Sequence, residues 1–336
     1  DTQMEQTKDF SYFPTCTGPF IPVEFTGNTE VILRRFDSYH GGIPSLESVT
    51  VQHAADTDKL IKALEQESTS VAADIPRDAL SNLTEKGYLP QQTASASAWL
   101  LIMNMDNTIF ADKNVRQAIA LATDRQSESG AFAPLLPFSD NVEPYSYDPS
   151  GAKTLLEDSG YADTNGDGIM DKNGSKLSLR LAVAVEDPEL LEWAQTLKSQ
   201  LMPAGIEISV KAYSDIFFTS RARYGKFDMM LLAVPTAENG NVQHFFEDYF
   251  ASSGTLNYGH YHNEQVDNSI QKLRCEFNTD QRILLTEQIQ ALGLEDATFV
   301  FLGYPQINLV LQDGISGLTV HPAYGCRLTA NTTVEH

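Results

Sequence analysis

Residues 177–234 read LSLRLAVAVEDPELLEWAQTLKSQLMPAGIEISVKAYSDIFFTSRARYGKFDMMLLAV, and the changes of period along this stretch decide the fold class. Leu177, Leu179, Leu181, Val183 and Val185 fall at every second position, the spacing of a strand. Asp187-Pro188 then supplies a helix N-cap and a proline at the first helical position, where its missing N–H has no partner to lose. Leu190, Leu191, Ala194, Leu197 and Leu201 recur at helical spacing, and Gly205 ends the helix. Alternation resumes at Ile206, Ile208, Val210 and Ala212. A second helix is predicted from Asp215 to Tyr224, stopped by Gly225, and Phe227 to Val234 is the near-continuous apolar run of a buried strand. Strand–helix–strand–helix–strand is the order of a parallel sheet with helices on its faces.

Working outward, two helices are predicted after Asn263 and Thr279, and the apolar strand Phe299 to Leu302 closes the unit. Upstream, Val115, Ala118, Ile119 and Ala122 share one face of a helix within 112–125. Asp148-Pro149 starts another, with Gly160 as its stop. The segment 126–147 between them, rich in Pro, Ser and Phe, is expected to be a surface connection. The first hundred residues alternate short strands (31–33, 49–51, 99–103) with helices near 56–65 and 77–86. Residues 306–336 show strands without a helical pattern and are expected to pack back on the first unit. The predicted division is therefore 1–103 for part of a first lobe, 104–303 for an α/β second lobe, and 304–336 for the return. Two crossings between lobes suit a hinge.

Composition narrows the function. With 42% hydrophobic residues in 336, the chain is long enough for a sizeable core. It carries 45 acidic against 23 basic residues, a net −22, which would be repelled by phosphate backbones; nucleic-acid binding is not expected. No window approaches the roughly 18 apolar residues of a membrane span. The polar start at Asp1 lacks the n- and h-regions of an export signal, so any such signal is expected to be absent already. Cys16, Cys275 and Cys326 fit no metal knuckle and are expected to be free buried thiols; Cys16 and Cys326 could bond only if both chain ends share a domain.

Two patterns could hold an ion. Asp163, Asn165, Asp167, Gly168 and Asp171 stand at positions 1, 3, 5, 6 and 9 of a calcium loop, but position 12 is Gly174 rather than a bidentate Glu. The alternatives are a weak structural Ca2+ and, with more weight, a turn-rich hairpin built by Asn, Asp and Gly. His244, His260 and His262 follow the strand 227–234 and are expected near its carboxyl end, where open sheets bind ligands. His260 and His262, two apart, point to opposite sides when extended. One imidazole on a chelated metal therefore suits them better than a protein-only site. There is no GxSxG, HExxH or GKS/T motif, and no residue group names an enzyme.

Several segments together resemble the extracytoplasmic solute-binding proteins of peptide- and nickel-type ABC importers, the family-5 group. Cys16-Thr17-Gly18-Pro19-Phe20 stands where that family has GTGPY/F. Residues 34–42, RRFDSYHGG, and the stretch 43–50 after them resemble its "R-N-x-x-Y-W-G-G" region. Val115 to Arg125 resembles "VRQALAYAIDR", 147–161 resembles "YDPxKAKxLLxEAGY", and 257–267 resembles "NYxGYSNPEVDxLI". Individually loose, the five are in the family's order along most of the chain.

The resemblance implies an α/β, periplasmic-binding-protein-like (type II) two-lobed hinge fold. The chain starts just ahead of the GTGPY region, and the connection after Arg125 is short, so the fold is expected to be truncated in the first lobe. It implies capture of a small ligand between lobes, a nickel or other metal–chelate complex or a short peptide, and delivery to an ABC permease. Residues 240–246, 257–259 and 299–302 look closest to the nickel or metallophore branch. Ligand-binding roles carry over to Pro235, Thr236, Asn239 and Asn241 after the strand, and to Tyr258, His260 and Tyr261 in the loop 258–262. His260 and His262 are the metal candidates. No cofactor is required, a monomer is expected, and the location is extracytoplasmic. The alternative is a docking or sensing domain that kept this scaffold and lost ligand capture.

Overall fold

The computed structural model describes residues 17–27, 29–125, 130–134, 136–139, 142–143, 145–237, 240–323 and 325–335. They fall into two compact units, one ending at Thr93 and resuming at Gln306, the other Ala94–Pro305. The first carries β1 (Phe20–Thr26), β2 (Glu30–Arg35), β3 (Ser48–Gln52), α1 (Thr57–Glu65), β4 (Val71–Ala73), α2 (Arg77–Glu85) and β5 (Leu89–Ala94). The second opens with β6 (Ser97–Met103), α3 (Lys113–Leu121), α4 (Pro149–Asp158), β7 (Asp171–Lys172) and β8 (Ser175–Lys176). It continues with β9 (Ser178–Ala184), α5 (Pro188–Leu201), β10 (Glu207–Tyr213), α6 (Asp215–Arg223) and β11 (Met229–Pro235). Then come α7 (Gln243–Phe245), running on as a π-turn over Phe246–Phe250, α8 (Glu264–Cys275), α9 (Thr279–Glu295) and β12 (Phe299–Gly303). Back in the first unit, β13 (Gln306–Leu311) precedes the short strands β14 (Ile315–Ser316), β15 (Thr319–His321), β16 (Gly325–Arg327) and β17 (Thr333–Val334).

The helices and strands that periodicity places over 177–302 form there. Their caps are the predicted ones: Asp187 accepts from the N–H of Glu189 and Leu190, and Asp148 from that of Gly151. The sheet of the second unit runs β10-β9-β11-β6-β12. Strands β9, β10 and β11 are parallel as expected, but β6 is antiparallel to both β11 and β12, so the sheet is mixed. Strand 97–103 lies at the heart of this sheet rather than with residues 1–96. All of Ala98 to Met103 are buried, as a strand covered on both faces requires. An upstream strand that inserts between later ones carries no mark of its partners.

One face of this sheet packs Trp99, Leu101, Leu181, Met229 and Val300 under Ile119, Leu156, Trp193 and Leu197 of the covering helices. On the other, Phe299 and Phe301 meet an aromatic cluster, and Ala182 and Met230 meet Phe218 and Ala222 of α6. Contrary to the expected surface connection, Ala131, Phe132 and Ala133 are buried. The Phe132 ring packs on Phe138, Phe245 and Phe246. Gln290, wholly buried in α9, accepts from the Ala131 N–H at 3.0 Å and donates to the Phe138 carbonyl at 2.9 Å. The Tyr304 hydroxyl lies 2.8 Å from the carbonyls of Gly130 and Phe132. Proline and serine signal irregular backbone, not exposure; buried irregular backbone is stable once side chains satisfy it.

In the first unit, β13 lies between β4 and β5, so the last stretch of chain supplies the middle of that sheet. One face packs Val310 with Leu64 of α1 and Leu80 and Leu83 of α2; the other gathers Leu309, Leu311 and Leu318. Strands β1-β2-β3 form a separate antiparallel sheet. Cys275 and Cys326 are free and, against expectation, exposed; Cys16 lies outside the described residues.

Candidate functional site

The two ends of the second unit's sheet differ in chemistry. At one end β9, β10 and β11 finish at Ala184, Tyr213 and Pro235, while β6 begins and β12 finishes. Pro235 pairs with Ser97, Gly303 pairs with Trp99, and the Ser95 N–H donates to the Pro305 carbonyl at 2.8 Å. Both chain connections to the first unit therefore leave from this end. It is also where an open sheet presents the helix N-termini and strand carboxyl ends that suit ligands.

Of the candidates, Pro235, Thr236 and Asn241 lie here. Pro235 is exposed and has no N–H to extend the ladder. Thr236 is buried, its N–H 2.9 Å and its hydroxyl 3.1 Å from the Ala96 carbonyl, so it locks the turn rather than projecting from it. Gly240, at φ +76°, lets the chain reverse into Asn241, whose Oδ1 accepts from the Gln243 N–H at 3.0 Å. Asn239 lies outside the described residues. The next side chain, His244, is exposed, with Nδ1 3.8 Å from a Glu247 oxygen. Glu247 is held by Gln243 and by Arg274 at 2.7 Å. Its burial raises the carboxyl pKa, but those two hydrogen bonds and the Arg274 charge outweigh this and keep it below its ordinary value.

The loop 258–262 lies at the opposite end. Met105 N–H donates to the Gly259 carbonyl at 2.8 Å, and a Cβ at Gly259 would meet the Met103 carbonyl oxygen at 2.6 Å. Only glycine lets this loop rest on the end of β6. Met103 pairs with Met229, the first residue of β11, and a strand rises roughly 3.3 Å per residue. The candidates Tyr258, His260, Tyr261 and His262 are thus a full strand length, about 20 Å, from Pro235 and Thr236.

The physical reason is the segment 243–250. It runs back along the sheet with Phe245 beside Phe301 and Phe250 stacked on Phe299, which delivers residues 251–262 to the amino end of β11. The run Phe245-Phe246-x-x-Tyr249-Phe250 was the available signal.

At that end the side chains tie the loop to the elements beside it. His260, at φ +53°, places Nδ1 2.6 Å from Asp106 Oδ2. His262 Nδ1 is 2.7 Å from Ser252 Oγ, which donates to Asp267 at 2.6 Å, so the two imidazoles engage different carboxylate clusters. Tyr261 is buried and donates to Asp296 at 2.7 Å; burial and that carboxylate push its pKa up. Tyr258 packs partly buried against the cluster around Phe218.

The calcium-loop residues also serve their own turn. Asp163 accepts from the N–H groups of Gly166, Asp167 and Gly168; Asn165 donates to Asp167, which pairs with Lys176; Asp171 accepts from Thr164. Strands β7 and β8 pair antiparallel directly after this turn. Among the described residues no three His, Cys, Asp or Glu side chains gather to hold a metal ion.

The sequence model of the bacterial extracellular solute-binding proteins, family 5 Middle, matches residues 1–257. Oligopeptide-binding protein AppA of Bacillus subtilis is 27% identical over 327 residues, 92% of this chain and 60% of AppA. Nickel-binding protein NikA of Staphylococcus aureus is 24% identical, over 97% of this chain and 67% of NikA. The chain thus spans about three fifths to two thirds of these relatives. Among solved structures, a nickel ABC transporter protein from Bacillus halodurans superposes with a TM-score of 0.85 at 24% identity, covering 97% of this chain and 71% of that one. NikA from Brucella suis with Fe(III)-EDTA gives 0.81 at 21% identity, over 95% and 68%. These likenesses show the same α/β binding-protein fold.

Proposed function

Because this chain belongs to the family-5 bacterial extracellular solute-binding proteins, we propose that it captures a small solute, a short peptide or a metal chelate, for an ABC importer. The solute classes are those in the relatives' names: oligopeptide and dipeptide binding, nickel binding, and a NikA structure holding Ni(L-His)2. The proposed place of work is outside the cytoplasm, with the chain acting as a monomer that hands its solute to a membrane permease. No helix among the described residues is long and apolar enough to cross a membrane.

The observation that carries the site is the carboxyl end of the second unit's sheet. There the proposed contacts are Pro235, the side chain of Asn241 and the exposed imidazole of His244, on the turn that Thr236 locks. A neutral imidazole accepts a hydrogen bond from a peptide or binds a metal that its own chelator leaves unsaturated. His260 and His262 lie at the other end, against Asp106 and Ser252, so we assign this role to His244 by its position. By calorimetry with Ni(II) and L-histidine, His244→Ala is expected to weaken binding about tenfold, the worth of one charge-assisted or coordinate contact. His260→Ala is expected to change it less than about twofold. The opposite order would place the solute at the amino end of β11. Short peptides that raise the melting temperature where the nickel chelate does not would assign the peptide class, and peptide at 100 times its Kd should add about 2.7 kcal/mol.

A further inference from the structure

The helix α6 is apolar on both sides. Phe218 and Ala222 point into the core; at about 100° per residue, Ile216, Ser220 and Tyr224 lie diametrically opposite, with Phe217 beside them. Ile216, Phe217 and Tyr224 are 82%, 64% and 75% exposed, among the most exposed large apolar residues described. Exposed apolar side chains clustered on one strip mark an interaction surface more readily than ones scattered singly.

Its charge is equally out of keeping with the chain. Lys211, Arg221, Arg223 and Lys226 against Asp215 make residues 211–226 basic in a protein of net −22. Lys211, Arg221 and Arg223 are exposed and Lys226 is also open to solvent. Arg223 and Arg221 flank the apolar strip on its two sides, and Arg221 sits 5.3 Å over the Tyr213 ring.

We propose that the outward face of α6 seats on an anionic lipid surface. Ile216, Phe217 and Tyr224 enter the headgroup–acyl boundary while the flanking guanidinium groups reach the phosphates, the arrangement of an interfacial helix with basic flanks. The size of the patch selects lipid over a second copy or another protein. Nine residues make a strip about 14 Å long and about 10 Å wide, far below the roughly 800 Å² per partner of a stable protein complex. A bilayer needs only a few inserted side chains and a cationic rim. The acidic residues elsewhere are screened beyond about 8 Å at physiological salt.

The test is sedimentation of the whole chain with phosphatidylcholine vesicles, with and without about 30% phosphatidylglycerol, at about 0.15 M and at about 1 M salt. Binding is expected only to the phosphatidylglycerol vesicles, falling at least about tenfold in high salt and in R221E/R223E and I216S/F217S. In F217W, tryptophan emission is expected to shift to the blue on those vesicles alone, an optical readout independent of pelleting. No partition at about 0.15 M salt, or equal partition of the variants, overturns the proposal. So does a concentration-dependent mass without lipid that I216S/F217S abolishes, which would assign the face to a second copy.

Discussion

Replacing Phe250 with alanine is expected to destabilise the second unit by about 3–5 kcal/mol, the range for emptying a buried aromatic site. The ring is 1% exposed and stacks on Phe299 at 4.2 Å with 19° between planes. Phe245 and Phe246 meet it at 5.4 and 5.3 Å, Phe246 edge-on, and Tyr261 at 6.3 Å. Beside it lies Gly293 of α9, where a Cβ would stand 2.6 Å from the Phe250 ring. The glycine is there because the ring is. These neighbours are rings and helix backbone fixed by their own packing, so the cavity has little freedom to collapse, which puts the loss toward the upper end. Both tryptophans, Trp99 and Trp193, belong to this unit, so tryptophan emission during urea unfolding reports on it alone. A lowered midpoint with an unchanged m-value is the expected form. A loss below about 1 kcal/mol would mean that the aromatic cluster does not hold the segment 243–250 to the sheet.

Asp228 carries the second large effect. Burial alone would raise its pKa. Hydrogen bonds from the Arg180 side chain at 2.7 and 2.9 Å, the Arg180 N–H at 2.7 Å and the Asn107 amide at 3.0 Å reverse that and hold it below its ordinary 3.8. The pair ties β9 to the start of β11 and to the turn after β6. Removing one member of a buried pair costs about 3–5 kcal/mol, but the Arg180 side chain is 55% exposed and rehydrates, so Asp228→Ala is expected to lose about 2–3 kcal/mol.

The sign with pH comes from the lowered pKa. The carboxylate's contribution is complete above its unfolded value and is lost as pH falls through the folded one, so it begins to fall below about pH 4. Urea midpoints measured from pH 3 to 7 should fall less steeply in acid for Asp228→Asn than for the unchanged protein. Parallel curves would show that the ion pair adds no pH-dependent stability.

Much of the fold was legible because periodicity is local. Leu177 to Val183 and Leu190 to Leu201 state a strand and a helix without reference to anything distant, and Asp187-Pro188 marks the boundary between them. What failed was long-range. Nothing in Ala98 to Met103 says that the strand will lie between β11 and β12, and nothing in residues 130–133 says that Gln290 and Tyr304 will satisfy their backbone. The candidate site divided along the same line. Pro235, Thr236 and Asn241 come directly after their strand and stay at its carboxyl end. His260 and His262 were placed by closeness in sequence, across a segment that travels the length of the sheet. Asp163 to Gly174 has the spacing of a calcium loop and the turn chemistry of a hairpin, and its carboxylates accept from backbone N–H groups and Lys176.

The proposed function requires a solute held at the carboxyl end of the second unit's sheet. Amide hydrogen exchange, with whichever of the nickel–histidine complex or a short-peptide mixture raises the melting temperature, reads that directly. Slowed exchange in residues 95–97 and 236–245, with 257–263 unchanged, is the predicted footprint. Slowing confined to 257–263 would contradict it.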